Sequence, residues 1–194
     1  MKLLLASASP RRKELLCGIG YDVWCVSPDV QELDESSQES PEDIAKINAE
    51  RKAKKVYAQV GEQKWDILIA ADTVVSLGNR IFGKPADKED ARSMLKQLSG
   101  QTHQVSTGYA LVNRVGKIKI DVVKSLVSFR SLSSNEILSY LATAECFDKS
   151  GSYAVQGAGA ALIKTISGSI SNIVGLPIEE VLQHARDLYN DAKK

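Results

Sequence analysis

The chain has 194 residues, of which 43% are hydrophobic and 25% are charged. This balance is typical of a globular α/β protein that buries a sizeable core. Lysine plus arginine total 25 and aspartate plus glutamate 24, so a net charge of +1 gives no indication of a nucleic-acid-coating surface. The three cysteines form no CxxC pair, which argues against a zinc site or a disulfide framework and favours a reducing cytoplasm. No apolar run reaches the roughly 18 residues of a membrane span, so we expect neither nucleic-acid nor membrane partners.

The N-terminal segment predicts a strand followed by a helix. Lys2–Ala6 is short and almost wholly apolar, as expected for a buried strand. Ser9 fits an N-cap position and Pro10 the first helical position, where a missing N–H has no consequence. The helix is expected to end near Gly18, and weak alternation over Tyr21–Val26 predicts a second strand.

An acidic segment separates these elements from the next helix. Asp29–Asp43 contains seven acidic residues and no lysine or arginine, which predicts a solvated loop. Ser40 fits the N-cap of a helix that runs to about Ala58. A buried apolar strand is then predicted at Ile67–Ala71, with Asp72 at its end.

The remaining elements are delimited by turn and capping signals. They are a hairpin turn at Gly78-Asn79, a helix from Asp87 to Gly100, strands at Gln104–Val112 and Lys117–Phe129, a helix from Ser133 to Ala142, and a last helix at Ile178–Tyr189. Helices and strands alternate early, and antiparallel strands dominate the middle. We therefore expect an α/β fold with a mixed twisted sheet flanked by helices, in one domain over residues 1–194 with two lobes around a central cleft.

The junction between the first strand and helix is a candidate anion site. A helix N-terminus offers free N–H groups and the positive end of the helix dipole, both of which favour phosphate. Ser7 and Ser9 add hydroxyl donors, and Arg11 and Arg12 add guanidinium groups that bind phosphate through two hydrogen bonds. The alternative is that both arginines project into solvent, as short basic motifs often do.

Three further residues could act at such a site. A carboxylate at the mouth of a sheet, here Asp72, can hold Mg²⁺ or act as a general base, and it can equally serve as a turn residue. Lys52 and Lys84 could neutralise phosphate charge, although lysines are mostly exposed. Neither GxGxxG after a strand nor a P-loop motif is present. The pattern alone indicates an anion site and no particular reaction.

Eight short motifs in order add a resemblance that covers about residues 2–177. They are LASASPRRKELL, AERKA, AADTVV, GKP, LKQLSGQTHQVSTG, FRSLS, DKSGSYAVQG and VGLP. In these motifs the chain resembles the Maf family of nucleoside triphosphate pyrophosphatases, whose fold is similar to that of inosine triphosphatases. The resemblance implies a homodimeric enzyme that hydrolyses the bond between the α- and β-phosphates and requires Mg²⁺, Mn²⁺ or Co²⁺.

The resemblance also implies roles for individual residues. Asp72 corresponds to the proton acceptor and, together with Glu32, would hold the metal ion. The residues expected to bind the substrate phosphates are Ser7, Ser9, Arg12, Lys52 and Lys84.

Three positions divide the family by substrate. Here they are Arg11, Thr73 and Gln156, a combination that resembles the branch acting on dTTP and UTP. A thymine or uracil edge presents acceptor, donor and acceptor, which Arg11 and the Gln156 amide could match. Modified pyrimidine nucleotides remain an alternative substrate class, because these residues do not report on the 5-position of the base. A non-catalytic regulator of cell division is the alternative from a different functional class.

Overall fold

The computed structural model describes residues 1–61 and 65–193. Its strands are β1 (Leu3–Ala6), β2 (Val23–Val26), β3 (Ile67–Leu77), β4 (Arg80–Phe82), β5 (Thr102–Asn113), β6 (Ile118–Phe129) and β7 (Ile163–Ser167). Its α-helices are α1 (Pro10–Gly18), α2 (Pro41–Val60), α3 (Lys88–Leu98), α4 (Ser134–Leu141), α5 (Ile170–Val174) and α6 (Ile178–Asp191). Short 3₁₀ segments lie at Ser150–Ser152 and Gly157–Leu162. None of the helices in the described ranges is both long and apolar enough to cross a bilayer.

The strands form one mixed sheet in the order β2-β1-β3-β5-β6-β7, with β4 paired to β3 as a hairpin. β1 is parallel to both β2 and β3, whereas β5, β6 and β7 continue the sheet in antiparallel pairs. Apolar cores lie on both faces of the sheet. The predicted mixed sheet with flanking helices is confirmed.

One edge of β3 is open in its middle. β1 pairs with β3 only as far as Ala70, and β4 pairs with it again only from Val75. Residues 71–74 therefore have β5 on one side and no strand on the other. The prediction that the strand ends at Asp72 is wrong, because β3 continues to Leu77. Asp72 lines the cleft where the neighbouring strand β1 ends, although β3 itself continues.

Two lobes share the long strands β3 and β5. In the first lobe, α1 and α6 cover one face of the sheet and α2 covers the other, around cores that include Leu5, Leu16 and Leu111 on one face and Leu4, Ala53 and Leu68 on the other. In the second lobe, α3 and α4 pack on the far ends of the strands, around a core that includes Val75, Phe82, Leu95 and Phe129. The predicted two-lobed architecture is confirmed, and the open part of β3 lies between the lobes.

Alternation along β3 assigns its residues to opposite faces, because successive strand side chains point to opposite sides of a sheet. Ile69 and Ala71 belong to the core on the α1 and α6 face, whereas Leu68 and Ala70 belong to the core on the α2 face. The same alternation points the Asp72 side chain toward α2 and the Thr73 side chain toward the opposite face.

All four predicted N-cap positions are confirmed, and at three of them the side chain makes a capping hydrogen bond. Ser40, Asp87 and Ser133 each accept a hydrogen bond from the backbone N–H three residues later. Ser9 stands at the N-cap of α1, but its side chain makes no capping bond. Its backbone N–H instead donates to Ser7 Oγ at 3.1 Å, which folds the β1–α1 connection back on itself.

A glycine allows α2 to approach the sheet closely beside Asp72. Gly108 of β5 is the register partner of Asp72. A Cβ atom built at Gly108 would lie 2.3 Å from the carbonyl carbon of Ala45 and 2.5 Å from the backbone nitrogen of Lys46. The backbone of α2 therefore rests directly on β5, as glycines in strands often permit.

We expect Gly108→Ala to lower the free energy of unfolding by about 1–3 kcal/mol or more, because the new methyl group overpacks against helix backbone rather than a movable side chain. Urea unfolding of the variant measures this loss. Gly18→Ala is the matched control, since a Cβ at Gly18 meets no atom within 4 Å. Equal stability of the two variants would contradict the close helix–sheet contact.

Candidate active site

A cleft of about 570 Å³ opens where β3 lacks a neighbouring strand. Several parts of the chain meet there. They include the β1–α1 connection, the loop before α2, α2 itself, the middle of β3, β4 and the residues after it, the segment around residues 148–156, and the end of α5. All the residues predicted for the site line it, namely Ser7, Ser9, Arg11, Arg12, Glu32, Lys52, Asp72, Thr73, Lys84 and Gln156. The fold thus brings together residues that are up to 149 positions apart in the sequence.

The Asp72 carboxylate is held by two side chains from α2. Lys52 Nζ lies 2.6 Å from Oδ1, and Asn48 Nδ2 donates to Oδ2 at 3.0 Å. Lys52 Nζ also lies 3.0 Å from Glu32 Oε1. The Lys52 and Asp72 side chains are only 7% and 12% exposed, so solvent screens their attraction little. The Glu32 side chain is 50% exposed, so its pair with Lys52 is screened more.

Arg12 is fixed by three acceptors on the opposite side of the site. Its Nε donates to the Gly175 carbonyl at 2.7 Å, Nη1 donates to Ser7 Oγ at 3.3 Å, and Nη2 donates to Thr73 Oγ1 at 3.1 Å. Burial lowers the pKa of Arg12, and the negative charges of Asp72 and Glu32 oppose that shift. Arginine keeps its charge in proteins despite such shifts, so Arg12 supplies a positive charge of fixed orientation.

The Thr73 hydroxyl is committed to this framework. Thr107 Oγ1 donates to the Asn172 carbonyl at 2.8 Å, so in its contact with Thr73 Oγ1 at 3.0 Å it is the acceptor. Thr73 therefore donates to Thr107 and accepts from Arg12. Because a hydroxyl has a single hydrogen, Thr73 has no hydrogen left to donate to a ligand. Thr73 therefore acts on the site by holding Arg12.

Arg11 forms an ion pair across the cleft. Its Nη1 lies 3.0 Å from Asp148 Oδ2, and its side chain is 28% exposed. Lys149 contacts the other oxygen of the same carboxylate and the Glu145 carbonyl. The guanidinium of Arg11 has five N–H donors, so donors remain to bind a ligand.

Gln156 and Lys84 lie at the exposed rim of the cleft. Gln156 immediately precedes the 3₁₀ segment Gly157–Leu162, whose first turn is held by the Glu145 carboxylate through the Ala158 N–H at 3.1 Å. Lys84 follows β4 in the second lobe. Both side chains can therefore meet a ligand without displacing core residues.

Two buried aromatic residues, Tyr153 and His103, contact each other beside the cleft in the second lobe. Tyr153 lines the cleft, and its hydroxyl lies 2.8 Å from His103 Nε2. Burial lowers the pKa of His103 to about 4 and raises that of Tyr153. Both groups are neutral near pH 7, so the positive charge around the cleft comes from its arginines and lysines.

Sequence reasoning missed three contributors to this geometry, namely Asn48, Thr107 and Asp148. Asn48 and Lys52 are four residues apart on α2, a spacing that places two side chains on the same helix face. That spacing was the available signal for Asn48. Thr107 reaches the site through its register with Thr73 on β3, and Asp148 reaches it through its contact with Arg11 across the cleft. No local sequence pattern predicts either contact.

Glu32 and Asp72 are the carboxylates that could hold a divalent cation. Within residues 1–61 and 65–193, no three or more His, Cys, Asp or Glu side chains are grouped closely enough to enclose a metal ion. Glu32 and Asp72 nevertheless converge on the same ammonium group, at 3.0 and 2.6 Å. Mg²⁺ commonly binds through one or two carboxylates while phosphates and water complete its coordination, so this pair suits a cation that arrives with a phosphate ligand.

Comparison with known proteins identifies the family. Residues 2–188 match the family model described as "Maf-like protein". The chain belongs to the Maf family. Relatives named dTTP/UTP pyrophosphatase include those of Desulfitobacterium hafniense strain Y51, 46% identical over 92% of this chain and 82% of the relative, and Clostridioides difficile strain 630, 45% identical over 93% and 92%. A third, from Syntrophus aciditrophicus strain SB, is 40% identical over 96% and 90%.

Solved structures support the fold. The Ham1 protein of Staphylococcus aureus aligns over 98% of this chain and 100% of its own, with a TM-score of 0.52 and 12% identity. A HAM1 protein from Coxiella burnetii aligns over 100% of this chain and 98% of its own, with a TM-score of 0.50 and 14% identity. At these identities the likeness concerns the architecture alone.

We expect Thr73→Val to lower the free energy of unfolding by about 1–3 kcal/mol, because a side chain of the same shape leaves Arg12 and Thr107 without their partner. Thr73→Ser, which keeps the hydroxyl, should retain most of that stability. Thr102→Val is the matched control, since the Thr102 hydroxyl makes an exposed contact with Ser128. Urea unfolding measures all three, and a Thr73→Val variant as stable as the control would contradict the hydrogen-bonded chain.

Proposed function

We propose that this protein hydrolyses dTTP and UTP to the nucleoside monophosphate and pyrophosphate. The observation that carries the proposal is the Asp72 carboxylate, held by Lys52 and Asn48 at the centre of a cleft with arginines on its other side. The names of relatives at 40–46% identity support the same reaction.

Phosphate binding follows from the positive groups around the cleft. Arg12 is oriented by Ser7, Thr73 and Gly175, which leaves one N–H of each terminal nitrogen for phosphate oxygens. The N-terminus of α1 adds backbone N–H groups and the positive end of its dipole. Lys84 approaches from the second lobe, so the triphosphate would bind between the lobes.

The chemical step would use Asp72 as the base. Each carboxylate oxygen accepts one hydrogen bond from α2, so a lone pair remains on each for the proton of a water molecule. The water oxygen would bond to the α-phosphorus as the bond to the bridging oxygen breaks, and pyrophosphate would leave with that electron pair. Arg12 and Lys84 would stabilise the charge that develops on the leaving group.

We expect the reaction to require Mg²⁺, Mn²⁺ or Co²⁺, held by Glu32 and Asp72 together with the substrate phosphates. Such a cation neutralises phosphate charge and lowers the pKa of bound water. Assembly as a homodimer and location in the cytoplasm stay predictions from the sequence and the resemblance.

Base selection is assigned to Arg11 and Gln156. Both lie at the cleft, and both carry donors that can face the two carbonyl oxygens of a thymine or uracil, while the Gln156 carbonyl can accept from its N3–H. Cytosine presents a donor where these bases present an acceptor, so it would leave a donor of the site unpaired. Thr73 would influence selection through Arg12.

The test is pyrophosphate release from dTTP, UTP, CTP, GTP and 7-methyl-GTP in the presence of Mg²⁺ or Mn²⁺. We expect dTTP and UTP to be hydrolysed fastest, and Asp72→Asn to lower kcat by about 100-fold or more, as loss of a general base does. Asp66→Asn is the matched control, because Asp66 precedes β3 at the end remote from the cleft. Preference for another base would contradict the assignment of Arg11 and Gln156, and an unaltered Asp72→Asn variant would contradict the base.

A further inference from the structure

Asn48 is buried at a position where packing alone disfavours asparagine. It is 1% exposed, and Ala45 and Ala49 beside it on α2 are fully buried. Asparagine is a poorer helix former than alanine or leucine, and burial of an amide costs about 1–3 kcal/mol unless hydrogen bonds replace its water. The residue must therefore be explained by what its amide contacts.

The amide joins a loop to the catalytic carboxylate. Asn48 Oδ1 accepts from the Leu33 N–H at 2.7 Å, and Nδ2 donates to the Leu33 carbonyl at 2.9 Å and to Asp72 Oδ2 at 3.0 Å. The partners also fix the orientation of the amide, because a flipped side chain would direct its oxygen at two acceptors and its NH₂ at a donor. Both N–H groups and the oxygen are in use.

The contact with Leu33 determines where Glu32 lies. Leu33 follows Glu32 in the loop between β2 and α2, and both backbone polar groups of Leu33 bond to Asn48. Arg51 also bonds to this loop, at the Gln31 carbonyl, through an exposed contact. The buried attachment at Asn48 is thus positioned to keep Glu32 within reach of Lys52, at 3.0 Å.

The contact with Asp72 determines how that carboxylate is oriented. Lys52 binds one oxygen and Asn48 binds the other, so rotation of the carboxylate about its terminal bond would break at least one of these bonds. Asn48 and Lys52 lie one helical turn apart on α2, and the helix is held against the sheet at Gly108. A single rigid helix therefore sets the direction of both Asp72 oxygens.

We propose that Asn48 is a positioning residue for the hydrolysis, holding Asp72 and the loop that carries Glu32 in one mutual geometry. This inference rests on the proposed function for its kinetic consequences. The attachment of the loop to Asn48 does not depend on the proposed function, and it is tested without substrate.

Two substitutions remove different parts of this network. Asn48→Asp keeps an acceptor for the Leu33 N–H, loses the donors to the Leu33 carbonyl and to Asp72, and adds a like charge beside Asp72. Asn48→Leu removes every polar contact while leaving an apolar side chain of similar size. Asn113→Leu is the matched control, because Asn113 is also fully buried and hydrogen-bonded, at the opposite end of the sheet.

With dTTP as substrate, we expect Asn48→Asp to lower kcat by about 10- to 100-fold, the usual effect of losing a partner that orients an active-site group. Its KM should change by less than about threefold, since the bond from the Leu33 N–H, the shorter of the two to the loop, is kept. Asn48→Leu should lower kcat comparably and raise KM as well. Asn113→Leu should lower stability and leave kcat of the folded protein within about twofold of wild type.

Hydrogen exchange of the Leu33 amide is the readout that needs no activity. We expect its protection to persist in Asn48→Asp and in the control and to be lost in Asn48→Leu. Wild-type kcat in both Asn48 variants, or unchanged Leu33 protection in Asn48→Leu, would overturn the proposal. An inactive wild-type protein would refute the proposed function and the kinetic role together, while the exchange measurement would still decide whether Asn48 holds the loop.

Discussion

The contact between Lys52 and Asp72 is the constraint on which the site depends. Lys52 and Asp72 are charged, lie 2.6 Å apart and are only 7% and 12% exposed. Removing one member of such a buried pair leaves the other charge unpaired and costs about 3–5 kcal/mol of folding free energy. The pair requires α2 to lie directly on the sheet, which the missing side chain of Gly108 permits. Because β3 continues past the end of β1, Asp72 pairs with β5 on one side and lies at the open edge of β3 on the other.

Adjacent residues of β3 contact different partners, one on each face of the sheet. Asp72 points toward α2, where Lys52, Asn48 and Glu32 form the side of the site suited to activating water and holding a cation. Thr73 points the other way and contacts Arg12 and Thr107, on the side suited to binding phosphate. Two adjacent residues of one strand thus reach two different sets of partners, and a triphosphate lying across the open edge of β3 would meet both.

Local signals in the sequence predicted the elements well, and the contacts between elements less well. The caps at Ser40, Asp87 and Ser133 depend on residues only three positions apart, so sequence alone reveals them. β3 continues beyond Asp72 through Thr73, Val74 and Val75, residue types that favour strands, and pairing with β5 stabilises this part of the strand. Lysines are usually exposed, and the burial of Lys52 depends on Asp72, 20 residues away. Residue pattern alone made Arg11, Arg12 and Asp72 candidates, together with Ser7, Ser9, Lys52 and Lys84. The resemblance to the Maf family added Glu32, Thr73 and Gln156, and the structure shows which side chains hold the site together.

The most direct test of this arrangement is hydrolysis of dTTP in ¹⁸O-labelled water, followed by mass spectrometry of both products. Attack by an Asp72-activated water on the α-phosphorus places the label in the nucleoside monophosphate and leaves the pyrophosphate unlabelled. We expect that result from the wild-type protein, with its rate strongly reduced in Asp72→Asn. Label in the pyrophosphate would show attack at the β-phosphorus and would contradict the proposed position of the substrate between Asp72 and Arg12.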